Sequence, residues 1–327
     1  MKDNLFLLLK GVAIGVANII PGVSGGTMAV VLGIYERLIG ALGGAVSGKG
    51  GRGRQIAFLG VLCVGAAIGI KGFGEVLKWA LEEHRAATML FFMGLILGSL
   101  PPVIRMGGMK RFRAAEMTVL AVGVLAVLAL GDPRRKEEAK ADVTARVSEQ
   151  AQADATPAEL DNPDYVTLGV CGFAAGSAMI VPGVSGSLVM LLLDKYYTVI
   201  VALHALGADS LISLAKGIFS SAPLDAGASS ALAAIKILCV VGVMAGLGVL
   251  VFAKIIEIAL AKAPSLTHAL IIGLVGGSIV ALNPGMPRTL GAALMAAFCL
   301  IAGTLISCVI SSHDAGKAAA EHPASAD

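Results

Sequence analysis

Charge is scarce in this 327-residue chain: Asp, Glu, Lys and Arg together make up 14% of it, against about 25% in an average soluble domain. Aromatic residues are few as well, at 5% with a single Trp, while hydrophobic residues reach 57% and the mean hydropathy is +0.86. A soluble helical bundle of this composition lacks the polar surface to cover its apolar faces. The net charge of +3 is too small to argue for a nucleic-acid partner. Cysteine chemistry is excluded too: Cys63, Cys171, Cys239, Cys299 and Cys308 all lie in apolar runs, without a CxxC pair or a partnering His. They read as small buried hydrophobes, so no metal, catalytic centre or bound cofactor is expected. Residues 5–9 after Lys2 faintly resemble a signal peptide, but the run is short, Lys10 ends it, and no small-residue cleavage site follows.

What is present instead is a series of long apolar runs, at 5–20, 25–42, 56–70, 88–104, 114–131, 166–181, 186–206, 231–252, 267–282 and 290–310. A helix needs about 20 mostly apolar residues to cross the hydrocarbon core. The expected class is therefore an all-α integral membrane protein.

The chain also repeats itself. Residues 11–42 match 172–203 without gaps at an offset of 161, with 15 identities in 32 positions that include Pro-Gly-Val-Ser-Gly in both copies. Residues 88–99 (TMLFFMGLILGS) match 267–278 (THALIIGLVGGS) at an offset of 179. Two matches in the same order indicate a duplication: repeat one over 1–131 and repeat two over 166–312. Between them, 132–165 is polar, with nine acids against five Lys/Arg up to Asp164, and reads as a solvated linker. Residues 313–327 form a similar polar tail.

Loop charge gives orientation. Lys49, Arg52 and Arg54 form one basic cluster, and Arg105, Lys110, Arg111 and Arg113 another; the positive-inside rule places both in the cytoplasm. Residues 71–87 then lie outside, the linker is external, Lys254 and Lys262 are inside, and both termini are cytoplasmic. As one helix, 5–42 would extend about 57 Å, too long for one crossing, and both its ends are flanked by basic residues. A hairpin that enters and leaves the same face fits better. Each repeat is then a broken hairpin plus about three crossings, an odd number, so the second copy is inverted. Many secondary transporters share that architecture.

The Pro-Gly-Val-Ser-Gly segment breaks its helix. Pro21 lacks a donor and disfavours helical geometry before it; Gly22, Gly25 and Gly26 loosen the backbone. Irregular backbone at membrane depth is tolerated only against protein or a water-filled cavity. Ser24 suits an N-cap, with the N–H groups of Gly25, Gly26 and Thr27 exposed beyond it, and such a terminus attracts anions. Pro182, Gly183, Ser185, Gly186 and Ser187 repeat the pattern. The plainer reading is a kink for close helix packing; two copies in register favour a phosphate site. The GxxxG-like pairs Gly11/Gly15, Gly94/Gly98, Gly172/Gly176 and Gly273/Gly277 read as helix-packing positions.

Other intramembrane polar residues are candidates because burying them is costly. Asn18 stands where freed carbonyls or a ligand need a partner. Glu36 and Arg37 fit either a proton or cation site or side chains snorkelling to the interface. Asp194–Lys195 is either an internal ion pair or the interfacial end of a half-helix. Lys236 either offers a cation to phosphate or snorkels outward. Trp79 and residues 82–85 look interfacial.

With Gly15, Ala17, Asn18, Pro21 to Thr27, Leu32-Gly-Ile-Tyr-Glu36, the second Pro182 to Ser187 with Tyr196, and the GLILGS and GLVGGS segments, the chain resembles the polyprenyl-phosphate transporters. The resemblance covers about residues 5–285. It implies flipping of undecaprenyl phosphate across the cytoplasmic (inner) membrane by alternating access, with the phosphate held at the two breaks and no enzyme activity. Uphill transport then needs coupling to H⁺ or Na⁺, with Glu36 the candidate. One departure is that repeat two reads Leu-Asp-Lys-Tyr-Tyr197 where repeat one has Leu-Gly-Ile-Tyr-Glu36, so Glu36 has no acidic counterpart. Prenyl-chain preference and oligomeric state are not legible.

Two rival classes use similar parts. Membrane polyprenyl-diphosphate phosphatases also carry a PGxS turn, but Arg is expected after the Ser, and Gly follows both Ser24 and Ser185 here. Nor does the sequence display an intramembrane His or Glu cluster to act as general base. A channel or transporter for small inorganic anions would use the same helix N-termini.

Overall fold

The computed structural model describes residues 2–20, 23–48, 51–106, 113–130, 145, 160, 163–220, 226–282, 284–285 and 289–321. Thirteen helices run through them, and among the described residues there is no strand. In repeat one they are α1 (Lys2–Ile19), α2 (Gly25–Val31), α3 (Tyr35–Ser47), α4 (Arg52–Glu83), α5 (Arg85–Met106) and α6 (Ala114–Leu130). In repeat two they are α7 (Tyr165–Ile180), α8 (Gly186–Leu192), α9 (Tyr196–Ala205), α10 (Ala208–Ser220), α11 (Ala226–Lys262), α12 (Pro264–Ala281) and α13 (Leu290–Glu321).

The local structure repeats as the sequence does. α2 and α8 are seven-residue helices starting 161 residues apart, and so do α3 and α9. α5 and α12 each follow a long helix after a one-residue break and start 179 residues apart. Among the described residues, five helices (α4, α5, α11, α12 and α13) are long and apolar enough to cross a membrane, or six spans if α8 and α9, bent by 111°, count as one. Only 17–22% of the most apolar stretch of α4, α11 and α13 is buried inside the protein, against 50% in α5 and 56% in α12. The latter two are the more enclosed helices, while the others present residues such as Phe298 and Leu290 outward, apolar faces suited to contact with lipid or protein rather than water.

Several boundaries differ from the sequence expectation. Residues 25–42 and 186–206 are not single helices. The first breaks at Gly33, with φ +65°, and the second at Asp194, with φ +53°. The backbone turns left-handed there, which glycine tolerates and aspartate adopts at modest cost. The expected external segment 71–87 is helical instead, because α4 continues to Glu83 and only His84 interrupts it before α5. Here the apolar pattern stops before the helix does: Gly72 and Gly74 are accommodated within α4, and no proline follows Ile70 to end it. Helix α10, amphipathic and too short to span, was not foreseen. The tail expected from 313 begins as the last turns of α13. Of the linker, only residues 145, 160 and 163–165 are described.

The helices group into two compact units. Unit one holds Met1–Asp132, Met179–Val184 and Phe252–Asp327; unit two holds Pro133–Ala178 and Ser185–Val251. In unit one, glycines bring helix backbones together. A Cβ on Gly15 would stand 2.1 Å from the Ala66 carbonyl oxygen, and Gly11, Gly65 and Gly69 meet Leu62, Leu8 and Val12 in the same way. The register rises together on α1 and α4, so these helices run parallel. Gly94 and Gly98 of α5 abut Leu300 and Thr304 of α13, with Gly303 on Phe91 in return. Gly273 and Gly277 of α12 abut Leu120 and Val124 of α6. Both of these pairs are also parallel. Within unit two, Gly172 and Gly176 of α7 meet Val241 and Ala245 of α11. The four predicted small-residue pairs are therefore close-approach seams, where any side chain would strike backbone.

Candidate functional site

The first break forms as its residues dictate. Ser24, in extended conformation, caps α2: its Oγ accepts the Thr27 N–H at 3.1 Å and lies 2.9 Å from the Thr27 hydroxyl. Both side chains are buried, Thr27 completely. The second break reaches this cap from 159 residues away in the chain. The Gly183 N–H donates to Thr27 Oγ1 at 2.7 Å and, more weakly, to Ser24 Oγ at 3.2 Å. Gly26 lets the crossing close, because a Cβ there would lie 3.0 Å from the Ile180 carbonyl oxygen and 3.2 Å from Pro182 N. Gly183 needs its own lack of side chain, with φ +83° and the Leu274 carbonyl oxygen 2.6 Å from any Cβ. The Tyr35 hydroxyl donates to the Ile180 carbonyl at 3.1 Å and ties α3 to the end of α7 just before the second break.

The two Pro-Gly-Val-Ser-Gly segments therefore meet directly, and their polar groups satisfy one another. Thr27 N–H and Gly183 N–H both donate to Ser24 Oγ. The two hydroxyls share a hydrogen bond in which either oxygen can donate, and Thr27 Oγ1 also accepts from Gly183.

The remaining expected residues are dispersed. Pro21 and Gly22 lie outside the described residues. The exposed Asn18 sets its carboxamide 3.1 Å from where a Gly25 side chain would start. Pro182 and Gly186 are buried. Ser185 caps α8 without a side-chain cap bond; its hydroxyl pairs with that of Ser187 at 2.9 Å. Asp194 is exposed at the end of α8, Lys195 precedes α9, and no hydrogen bond joins their side chains, which fits the half-helix end rather than an internal ion pair. Lys236 is exposed on α11. Arg37 stacks over the Phe58 ring at 4.4 Å, a packing role.

This chain belongs to the undecaprenyl phosphate translocase-like family. That family, described as VCA0040-like, matches residues 14–291 and so takes in both breaks. A polyprenyl-phosphate transporter of Staphylococcus aureus is 27% identical over 300 residues, covering 92% of this chain and 93% of the relative. One from Vibrio cholerae is 30% identical over 226 residues, 66% of this chain and 65% of the relative. No solved structure matches the chain.

Beside the crossing, the fold assembles a pair that sequence reading missed. His268 Nε2 lies 2.9 Å from Glu36 Oε1, and its Nδ1 lies 2.8 Å from the Pro264 carbonyl oxygen. Sequence reading finds no His or Glu cluster to act as general base and does not pair these two residues; the structure shows them hydrogen-bonded. The partners are 232 residues apart, so no local motif announces them. The available signal was an irregularity in the duplication: His268 stands where repeat one has Met89. Lys10 was missed for a similar reason. Buried, it donates to the Leu32 carbonyl at 2.9 Å and caps the C-terminal end of α2, where a cation suits the helix dipole.

Proposed function

We propose that this protein carries polyprenyl phosphate across the cytoplasmic membrane, holding the phosphate where the two breaks cross, with both termini in the cytoplasm. The observation that carries this reading is the Gly183 N–H seated on the Thr27 and Ser24 hydroxyls. Amide N–H groups at a helix start and small hydroxyls are the groups that replace water around a phosphate. The relatives named as polyprenyl-phosphate transporters supply the substrate class.

The physical task is to move one headgroup while the prenyl tail stays in lipid. A lone charge at the bilayer centre costs about 3 kcal/mol on insertion scales and 10 or more in simulations. A preformed polar crossing removes much of that barrier. When empty, the same groups must not be left unsatisfied in hydrocarbon, and here they bond one another. Substrate entry then exchanges the Gly183–Thr27 bond for bonds to phosphate.

Inversion of the repeats completes the mechanism. α6 runs parallel to α12 and α5 parallel to α13, as their glycine contacts require. These directions support the inverted reading, in which the matching helices α5 and α12 run oppositely. Likewise α1 and α4 run parallel with α2 and α3 between them, as expected of a hairpin returning to its own face. Alternating access between such repeats presents one site to each side in turn.

The test is reconstitution in liposomes with labelled polyprenyl phosphate. Wild type should equilibrate the label between leaflets, and Ser24→Ala/Thr27→Val should slow this at least about tenfold. A wild type that moves no lipid removes the transport reading; a double variant of normal rate removes the crossing as its site.

A further inference from the structure

We propose that Glu36 and His268 share one exchangeable proton that couples transport to the proton gradient. This inference rests on the transport reading and on inverted repeats. His268 Nδ1 faces the Pro264 carbonyl, which only accepts, so that nitrogen carries a proton. The bond between Nε2 and Glu36 Oε1 then needs one further proton, either on the ring facing a carboxylate or on a carboxyl facing the ring. The pair is neutral overall while that proton is held. When it leaves, a lone pair faces a carboxylate, the pair becomes an anion, and the bond between α3 and α12 is lost.

Glu36 is 48% exposed at its side chain and His268 only 9%, so the proton exchanges through Glu36 while the ring stays sheltered. The cleft beside them is otherwise lined by Val30, Gly33, Val103, Ile271 and Tyr35, whose hydroxyl is engaged with Ile180. A sodium ion needs several oxygen ligands, whereas a proton needs only these two atoms.

The other charged groups on the packed elements have partners, lie at helix ends, or are exposed along α4, as Lys71, Glu75 and Lys78 are. Arg37 covers Phe58, Lys10 bonds Leu32, Glu116 accepts the Arg113 N–H, Lys254 pairs with Glu257, and Arg105 is exposed at the end of α5.

The pair joins repeat one to repeat two, and the duplication places Tyr197 and Met89 at the corresponding positions. Inverted-repeat carriers exchange the roles of their repeats between the two access states. The Glu36–His268 bond belongs to one state, and the corresponding positions, Tyr197 and Met89, supply no carboxylate for an equivalent bond in the other. Protonation therefore stabilises one state only, which is the condition for coupling.

The experiment uses full-length protein in liposomes with labelled polyprenyl phosphate, with and without a pH gradient of two units. Wild type should transport several-fold faster in one gradient direction than in the other. Glu36→Gln, and the symmetrised Glu36→Tyr/His268→Met, should still equilibrate lipid at zero gradient but lose the directional response. Glu36→Asp should retain part of it, which separates proton holding from packing. Wild-type transport indifferent to the gradient, or an unchanged response in the symmetrised protein, overturns the proposal and leaves the transport reading standing. No lipid movement by wild type overturns both.

Discussion

The bond that joins the two breaks predicts a non-additive double-mutant cycle. Thr27→Val keeps volume and β-branching but removes the nearer acceptor of the Gly183 N–H, at 2.7 Å. The donor still has Ser24 Oγ at 3.2 Å, so the single change should cost about 0.5–1 kcal/mol, near the ~0.6 average for side-chain hydrogen bonds in membrane helices. Ser24→Ala alone removes a helix cap, for about 1 kcal/mol, and leaves Thr27 as the acceptor. Together the changes strand a buried N–H, which costs about 1–3 kcal/mol on its own. The double variant should therefore lose about 3 kcal/mol, at least 1 kcal/mol more than the two singles summed. Reversible unfolding in mixed micelles, followed by circular dichroism, measures each corner of the cycle. Additive losses would mean that Gly183 does not depend on these hydroxyls.

Other consequences follow from the same contacts. Gly26→Ala sets a methyl against the backbone of Ile180 and Pro182 and should destabilise by about 1–3 kcal/mol, with transport falling in parallel in the liposome assay. Gly15→Ala meets the Ala66 carbonyl, whereas Gly40→Ala meets nothing within 4 Å. The first should lower the unfolding midpoint by several degrees, and the second should leave it unchanged or raise it through better helix propensity. Asp164 starts α7, its carboxylate accepting the Thr167 hydroxyl and the Val166 and Thr167 N–H groups. The Thr167 bonds hold its carboxyl below the usual carboxylate range. A depressed value in the folded state means that the cap is fully present above the unfolded value and lost only as pH falls through the lowered one. Protection of the Thr167 amide against hydrogen exchange should follow that lower midpoint, and Asp164→Asn should abolish the pH dependence.

Much of the architecture was readable without coordinates because it follows from local chemistry. Sustained apolar runs leave few options besides membrane helices, and Pro21 and Pro182 with their glycines interrupt helices wherever they occur. Small residues spaced by four put one face against a neighbour, which is why Gly11, Gly15, Gly94, Gly98, Gly172, Gly176, Gly273 and Gly277 were assigned to packing correctly. The in-register copies supplied the repeat. The second breaks, at Gly33 and Asp194, were harder to see, since a single residue at positive φ leaves the apolar pattern around it intact.

Tertiary structure alone decided which of these parts meet. The sequence proposed two helix starts brought toward each other at a shared anion; the fold shows the second break donating its Gly183 N–H to the capping hydroxyls of the first. Glu36 was visible as a carboxylate without a counterpart, and His268 as an oddity opposite Met89, but nothing local connects residues 232 apart. Their hydrogen bond exists because α2, which leads into α3, and α12 both pack on α5. Helix formation is governed by neighbours in the chain, whereas a shared proton or a closed crossing is governed by neighbours in space.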